Sequence, residues 1–251
     1  MAELSGEHVL VTGGARGIGA AIVEVALERG AAAVSFVDLD EEGGARRAAQ
    51  LGERCSFLPA DVTDRAQVVE AVAQLAGRHG PVTALVNNAG RNAYGDPATF
   101  TEAEWDDFFA IDLKAAWLVS QAVLPGMKEA GRGAIVNIAS AHATATAPGM
   151  FPYAAAKSGI VGLTRSMALE LGPHGIRVVA VSPGYTKTEA VRAWLDEIGL
   201  EEEIAAAHPL RRLGETREIA EVVAFALSSR ASFASGVEWR VDGGLLARFA
   251  Y

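Results

Sequence analysis

The chain has 251 residues, half of them hydrophobic and 21% charged, with a net charge of −9 at pH 7. That size suits one well-buried domain, and an acidic balance without a basic cluster argues against nucleic acid or an anionic membrane as partner. A single cysteine, Cys55, excludes an internal disulfide, fits a reducing compartment and leaves no Cys/His cluster for zinc, so no metal is expected. The opening M-A-E-L-S-G-E-H has neither a basic n-region nor an apolar h-region. No apolar run approaches the roughly 20 residues of a membrane helix, and the expectation is a soluble, cytoplasmic protein.

From the N-terminus, His8 to Val11 is a short apolar run that leads into T-G-G-A-R-G-I-G, Thr12 to Gly19. A helical pattern with Ile18, Ile22, Val23, Ala26 and Leu27 follows and is closed by Gly30. Strand, glycine-rich turn and helix in that order are the context of a phosphate-binding loop. The glycines let backbone approach a pyrophosphate, and the helix N-terminus offers unpaired N–H groups and a positive dipole end. The strand A-A-V-S-F-V-D then ends at Asp38, 19 residues past Gly19. A carboxylate there would accept hydrogen bonds from adenosine ribose hydroxyls and repel a 2′-phosphate; a turn or cap residue is the alternative.

The alternation continues with a helix over 40–51, a strand from Cys55 to Leu58, and a helix capped by Asp64 that carries Val68, Val69, Val72 and Leu75. Val82 to Val86 is a strand that runs into N-N-A-G. A long helical stretch from about Thr101 to Ala130 opens on a Thr101–Glu104 capping box and should be kinked or divided at Pro125. Gly133 to Ala139 is a strand, the helix that begins near Tyr153 reaches about Leu171, and G-I-R-V-V-A-V-S-P-G supplies a sixth strand and turn. Residues 186–214 read as an insertion of short helices, Glu215 to Ser228 as a helix and Val237 to Val241 as a last strand. Strand–helix alternation at this rhythm means an α/β fold with a parallel sheet covered on both faces, in one domain over 1–251 without repeats or linkers.

Tyr153 and Lys157 stand four residues apart in an Ala-rich helix and so share a face. A phenol is a poor acid or base at neutral pH. An ammonium about 5 Å away at an effective dielectric of about 20 favours the phenolate by roughly 3 kcal/mol, about two pKa units. A tyrosine tuned in this way can pass a proton to or from an alcohol or carbonyl oxygen. An exposed surface pair is the bland alternative, and the other motifs decide between them.

Four motifs occur in order: T-G-G-A-R-G-I-G at 12–19, N-N-A-G at 87–90, Ser140 with Y-A-A-A-K at 153–157, and P-G-Y-T-K-T at 183–188. With these, the chain resembles the short-chain dehydrogenase/reductase family, in its form of about 250 residues, along essentially its whole length. The resemblance implies a doubly wound, seven-stranded Rossmann fold with a nicotinamide cofactor across the strand C-termini. Gly13, Gly17 and Gly19 would line the pyrophosphate, with Ile18 offering its backbone; Asp38 and Leu39 would hold the adenosine ribose, and Asp61 with Val62 the adenine. Asn87, Ala89 and Gly90 would follow the cofactor past the fourth strand, and Pro183, Gly184, Thr186 and Thr188 would grip the nicotinamide end. Asp61 as a turn residue and Thr188 as a helix cap are alternatives compatible with those roles. Arg16 would face a 2′-phosphate or simply neutralise Asp38; the anionic Asp38 favours NAD.

The implied chemistry is oxidoreduction. Tyr153 exchanges a proton with the substrate oxygen, Ser140 hydrogen-bonds that same oxygen, and Lys157 tunes Tyr153 and holds the nicotinamide ribose. The family usually has Asn where this chain reads F-F-A-I-D-L-K, so Asp112 takes that place as a candidate catalytic residue. An ionised Asp112 would stabilise Lys157 while partly cancelling its pull on Tyr153, a protonated one would mimic the amide, and a loop anchor is the third reading. Val179, where Asn is common, should alter packing only. Substrate walls would come from Arg91 to Tyr94, Ala141 to Phe151 and Tyr185 to Leu213, with His142, Arg91 and Asn92 as polar contacts; a loop histidine facing water is the alternative for His142. Glu189, Arg192 and Trp194 on the lid helix fit a solvated amphipathic face equally well.

Polar candidates beside Met150, Phe151 and Trp194 fit a small polyhydroxylated substrate slightly better than a bulky steroid, and I-D-L-K-A-A-W and Y-A-A-A-K are also similar to the family's sugar and polyol dehydrogenases. A 3-oxoacyl thioester reductase is the enzymatic rival, and a dinucleotide-sensing regulator the reading outside catalysis. The resemblance also implies a homotetramer, with the apolar tail at 245–251 packed at an interface or near a neighbour's site.

Overall fold

Seven runs of apolar residues form strands: β1 (His8–Thr12), β2 (Ala33–Asp38), β3 (Cys55–Pro59), β4 (Ala84–Asn87), β5 (Gly133–Ile138), β6 (Ile176–Pro183) and β7 (Val237–Val241). In the computed structural model, which describes residues 3–247, they make one sheet in the order β3-β2-β1-β4-β5-β6-β7, every pair parallel. Five of them, β1, β2, β4, β5 and β6, are buried along almost their whole length, as parallel strands covered on both faces must be.

Between and after the strands run helices α1 (Gly17–Glu28), α2 (Glu41–Leu51), α3 (Arg65–His79), α4 (Glu102–Phe109), α5 (Ala115–Ala130), α6 (Tyr153–Leu171), α7 (Glu189–Ile198), α8 (Glu201–Ala207) and α9 (Thr216–Leu227). Alternation along each strand feeds two cores. Val9, Val11, Val34 and Val136 pack with Ile22 and Val25 of α1 and Ile219 and Val223 of α9. Leu10, Leu85, Ile135 and Val178 pack with Val68 and Leu75 of α3 and Val119, Val123 and Met127 of α5. Val179 belongs to the first core, a packing role as expected. The strand order reverses between β1 and β4, so the crevice for a ligand opens there, beyond the strand C-termini.

The long helical stretch departs from expectation. Pro125 lies inside an unbroken α5 rather than dividing it. The irregularity falls instead at Ala110–Lys114, a π turn in which the Ala115 amide reaches back to the Ala110 carbonyl. Val123 and Met127, on either side of Pro125, are anchored in the second core, which supports α5 across the lost bond. The stretch Glu102–Ala130 also meets the length and composition of a membrane span, contrary to expectation, but 44% of its most apolar window is buried inside this domain. The insertion after β6 is closed at its base, where the Lys187 amide donates to Gly214 O at 2.8 Å and the Gly214 amide to Tyr185 O at 2.9 Å. Of the apolar tail, residues 248–251 lie outside the described residues.

At the N-terminal edge of the sheet, His8 is 3% exposed. Its Nδ1 lies 2.8 Å from Gly80 O, which only accepts, so Nδ1 carries the proton and Nε2 accepts from the Ser35 hydroxyl at 2.8 Å. Burial lowers the His8 pKa from the ordinary 6.5; the Gly80 bond opposes this, and His79, edge-on at 5.4 Å, adds to it. The unfolded chain therefore takes up a proton at His8 as pH falls through about 6.5 while the folded chain resists, so this contribution to stability is full above that pH and declines below it. Replacing His8 by Ala should cost about 2 kcal/mol near neutral pH, and the gap in urea midpoint from wild type should narrow at about pH 5. A gap independent of pH would contradict the assignment.

Candidate active site

The turn after β1 is shaped by backbone crowding. Gly13 and Gly17 adopt φ of 68° and 61°, and a Cβ on Gly19 would stand 2.0 Å from Gly13 O. The first bond into α1 is from the Ala20 amide to Arg16 O at 3.2 Å, and Arg16, at the N-cap, provides no side-chain cap. The amides of Gly17, Ile18 and Gly19 are thus left unpaired by the helix, and no acidic residue stands in its first turn. This donor set fits the pyrophosphate of a dinucleotide.

Two residues that the motif reading passed over hold the turn in place. Asn88 Nδ2 donates to Thr12 O and Gly13 O, each at 3.0 Å, and Thr12 Oγ1 accepts from the Asn88 and Ala89 amides, each also at 3.0 Å. Repetition of Asn in N-N-A-G was the available signal. Asn87 turns the other way, its amide donating to Ser120 Oγ and Asn137 Oδ1 inside the sheet. Its side chain is therefore committed to binding β4 to α5 and β5.

Asp38 closes the turn from β2. Its Oδ2 accepts from the Ala15 amide at 2.9 Å and its Oδ1 from the Asp40 amide at 3.1 Å. Beside it Leu39 is 66% exposed, an apolar surface next to the turn. Asp61 accepts from the Thr63 amide and hydroxyl at 2.8 and 2.7 Å, a turn role that leaves its outer face open, while the Val62 side chain is in the core. Arg16 is exposed and lines a polar cleft of about 430 Å³ with Arg46, Arg47 and Arg192. At the far end Gly184 packs so tightly that a Cβ would meet Asp242 Cα at 2.9 Å, with Pro183 paired to Val241. Thr186 is buried with its hydroxyl on Gly184 O at 3.1 Å, and Thr188 caps α7 through the Val191 amide at 3.2 Å.

The reactive groups gather at the C-terminal ends of β4 and β5. Ser140 is buried, and its Oγ accepts from the His142 amide at 3.2 Å at the start of a short 3-10 turn. The His142 ring stands edge-on to the Tyr153 ring at 5.7 Å and 76°, and Lys157 Nζ lies 5.6 Å from the centroid of that same ring. Lys157 is buried, 3.2 Å from Asp112 Oδ1 and 3.5 Å from Ile138 O. Asp112 Oδ2 accepts from the Arg91 amide at 3.1 Å. The ion pair packs directly against Gly90, where a Cβ would meet Asp112 Oδ1 at 2.8 Å and Lys157 Nζ at 3.3 Å.

Burial pushes the Asp112 carboxyl up from the usual carboxylate range, against the pull of Lys157 and the Arg91 amide. Burial also works against the Lys157 ammonium, but Tyr153 and Asp112 more than offset it and Lys157 is raised above its ordinary value. Burial lowers His142, whose Nδ1 is 3.0 Å from Thr146 Oγ1.

Aromatic rings wall the crevice. Tyr185 stacks on Trp194 at 6.0 Å and 4°, and meets His142 and His208 edge-on at 6.3 and 5.9 Å. Burial raises the Tyr185 phenol. His208, which carries no motif, was invisible in the sequence; it is 1% exposed with Nδ1 on Ile204 O at 2.8 Å, and it supports Tyr185 from behind. Arg91 directs its guanidinium to Asp107 of α4, and Asn92 donates to the Tyr94 hydroxyl at 3.2 Å. Both residues lie on the exposed rim.

A parallel sheet with an anion-binding turn at its switch point and a buried lysine beside a tyrosine defines a dinucleotide-dependent oxidoreductase. A family model described as enoyl-(acyl carrier protein) reductase matches residues 13–246. The chain is 38% identical over 252 residues to 2-(S)-hydroxypropyl-CoM dehydrogenase 3 of Xanthobacter autotrophicus, covering 98% of each. It is also 38% identical over 249 residues to a 3-alpha-(or 20-beta)-hydroxysteroid dehydrogenase of Mycobacterium tuberculosis, covering 99% of this chain and 93% of the other. Among solved structures, a gluconate 5-dehydrogenase of Burkholderia cenocepacia in complex with NADP and tartrate aligns with a TM-score of 0.92 at 32% identity, covering 98% of each chain. The protein belongs to the short-chain dehydrogenase/reductase family, oxidoreductases of alcohols and carbonyls that bind a nicotinamide dinucleotide.

The Asn88 bonds give a direct test of the turn. Asn88→Ala should weaken NADH binding about tenfold, the cost of about 1–2 kcal/mol for losing two buried bonds to Thr12 O and Gly13 O. Titration of NADH fluorescence reads this, and an unchanged affinity would show that the turn holds its shape without Asn88.

Proposed function

We propose that the protein is an NAD-dependent dehydrogenase/reductase that interconverts a secondary alcohol and a carbonyl on a small polyhydroxylated substrate, a sugar or polyol. The placement of Tyr153 between His142 and Lys157, beside the Ser140 turn, carries this reading. Tyr153 passes the proton to or from the substrate oxygen. Ser140 hydrogen-bonds that oxygen, and its Oγ is oriented by the His142 amide so that its own hydrogen is free to point at substrate. Lys157 stabilises negative charge on Tyr153 and holds the nicotinamide ribose. When bound, the nicotinamide ring accepts or supplies the hydride. The glycine turn holds the pyrophosphate, Leu39, Asp61 and Val62 flank the adenosine, and Ala89, Gly90, Pro183, Gly184, Thr186 and Thr188 surround the nicotinamide end.

NAD is the preferred cofactor in this reading. The Asp38 carboxylate stands at the end of β2 and favours ribose hydroxyls over a 2′-phosphate. Arg16 in the adjoining cleft is the group that would accept the phosphate once Asp38 is gone. Asp38→Ala should raise the kcat/KM ratio of NADP to NAD by at least about tenfold, since a carboxylate beside a phosphate costs more than about 1.4 kcal/mol. An unchanged ratio would refute the NAD assignment.

The substrate reading rests on polar groups among aromatic walls, His142 foremost, with Arg91 and Asn92 at the rim, and on likeness to a gluconate dehydrogenase. The acyl-carrier description of the matching family model keeps a 3-oxoacyl thioester reductase as the second reading. A homotetramer is proposed too, on the exposed Trp105 and Trp117 of α4 and α5 and Leu169 and Val237 of α6 and β7; a monomer mass by light scattering would exclude it. The lone, buried Cys55 fits a cytoplasmic setting. The function itself is tested with NAD and a panel of sugars, polyols and 3-hydroxyacyl thioesters, scored by NADH absorbance. Tyr153→Phe should bind NADH normally and lose turnover at least about 100-fold. A blank panel with tight NADH binding would favour a dinucleotide sensor.

A further inference from the structure

Two donors converge on the buried Asp112 carboxylate. From one side comes the Lys157 ammonium, 3.2 Å from Asp112 Oδ1; from the other comes the Arg91 backbone N–H, 3.1 Å from Oδ2. Neither group can accept a hydrogen bond. An ionised carboxylate offers an acceptor to each. A protonated carboxyl or an amide brings a hydrogen of its own into this cluster and offers the two donors weaker, uncharged acceptors, so the ionised form suits them best. Asp112 is 1% exposed, and a Cβ on Gly90 would stand 2.8 Å from its Oδ1, so the pair packs directly against the loop backbone.

From this geometry we propose that Asp112 is an ionised positioning residue that holds Lys157 and the loop after β4 together and sets the pH range in which Tyr153 exchanges its proton. The inference rests on the reading of Tyr153 as acid and base. Asp112 lies buried in the π turn Ala110–Lys114, 3.2 Å from the ammonium that in turn lies 5.6 Å from the Tyr153 ring centroid. A negative charge there offsets part of the attraction of Lys157 for a phenolate. Other charged and titratable groups around the pair are few. Arg91, on the β4 loop, is neutralised by Asp107 of α4, His142 on the β5 turn packs on Tyr153, and Tyr185 stands beyond His142. Asp112 is therefore the one carboxylate in contact with Lys157 among the described residues.

The test compares wild type with Asp112→Asn, a change of almost no volume, by the pH dependence of kcat and by the phenolate absorbance of Tyr153, isolated by subtracting Tyr153→Phe. Removing the negative charge should move both midpoints to lower pH by about one unit. It should also raise the substrate KM several-fold through release of the Arg91 amide. Asp112→Ser carries the same expectation and serves if the Asn variant does not fold. Coincident midpoints, or a shift to higher pH, would overturn the proposal. The absorbance reading separates the two hypotheses. A phenolate that shifts in the absence of any turnover retains the Asp112 effect and refutes the catalytic reading alone.

Discussion

A parallel sheet buried on both faces leaves its polar backbone groups nowhere to converge except at the strand ends. In this chain that constraint is sharpest between β1 and β4, where the strand order reverses and two turns meet. Thr12 and Asn88 join those turns through four hydrogen bonds, and the glycines around them permit contacts that a Cβ would forbid. The unpaired amides at the start of α1 and the Asp38 carboxylate, bonded to the Ala15 amide of the same turn, take their positions from this junction.

The reactive side of the site is governed by burial of charge. Lys157 is held within the protein at a place where an isolated ammonium would be costly, and it stays charged because Asp112 and Tyr153 face it. Asp112 bears the corresponding cost, visible in its raised carboxyl. A buried pair of this kind contributes little net stability. What it contributes is definition: a fixed ammonium beside Tyr153 and a fixed loop at Arg91. Around that pair the lid supplies the walls. Tyr185, stacked on Trp194 and edge-on to His208, joins the 186–214 insertion to the turn after β6.

Much of this was legible in the sequence because the signals are local. Strand and helix existence follows from runs of apolar residues and their period, and six of the seven strands lie within a residue of expectation, with β4 shifted toward Asn87. The turn at 12–19, the cap at Asp64 and the capping box at Thr101 are short-range chemistry and appear as read. Pro125 misled, because its usual disruption was weighed without the packing that holds α5 through it, and the π turn at 110–114 left no periodic trace.

The sequence by itself determined the alternation, and with it the parallel sheet, the glycine turn and the Tyr153–Lys157 spacing, since each depends on residues a few positions apart. Tertiary structure alone decided which polar groups meet. Asn87 and Asn88 are neighbours in the chain, yet one is spent inside the sheet and the other on the glycine turn, because successive residues at a strand end point to opposite sides. His208 acquires its place only when α8 folds back against Tyr185. Asp112 could be read from its position as anion, acid or anchor. The two donors that converge on it come from elements 21 and 45 residues away, so only the fold brings them to one carboxylate.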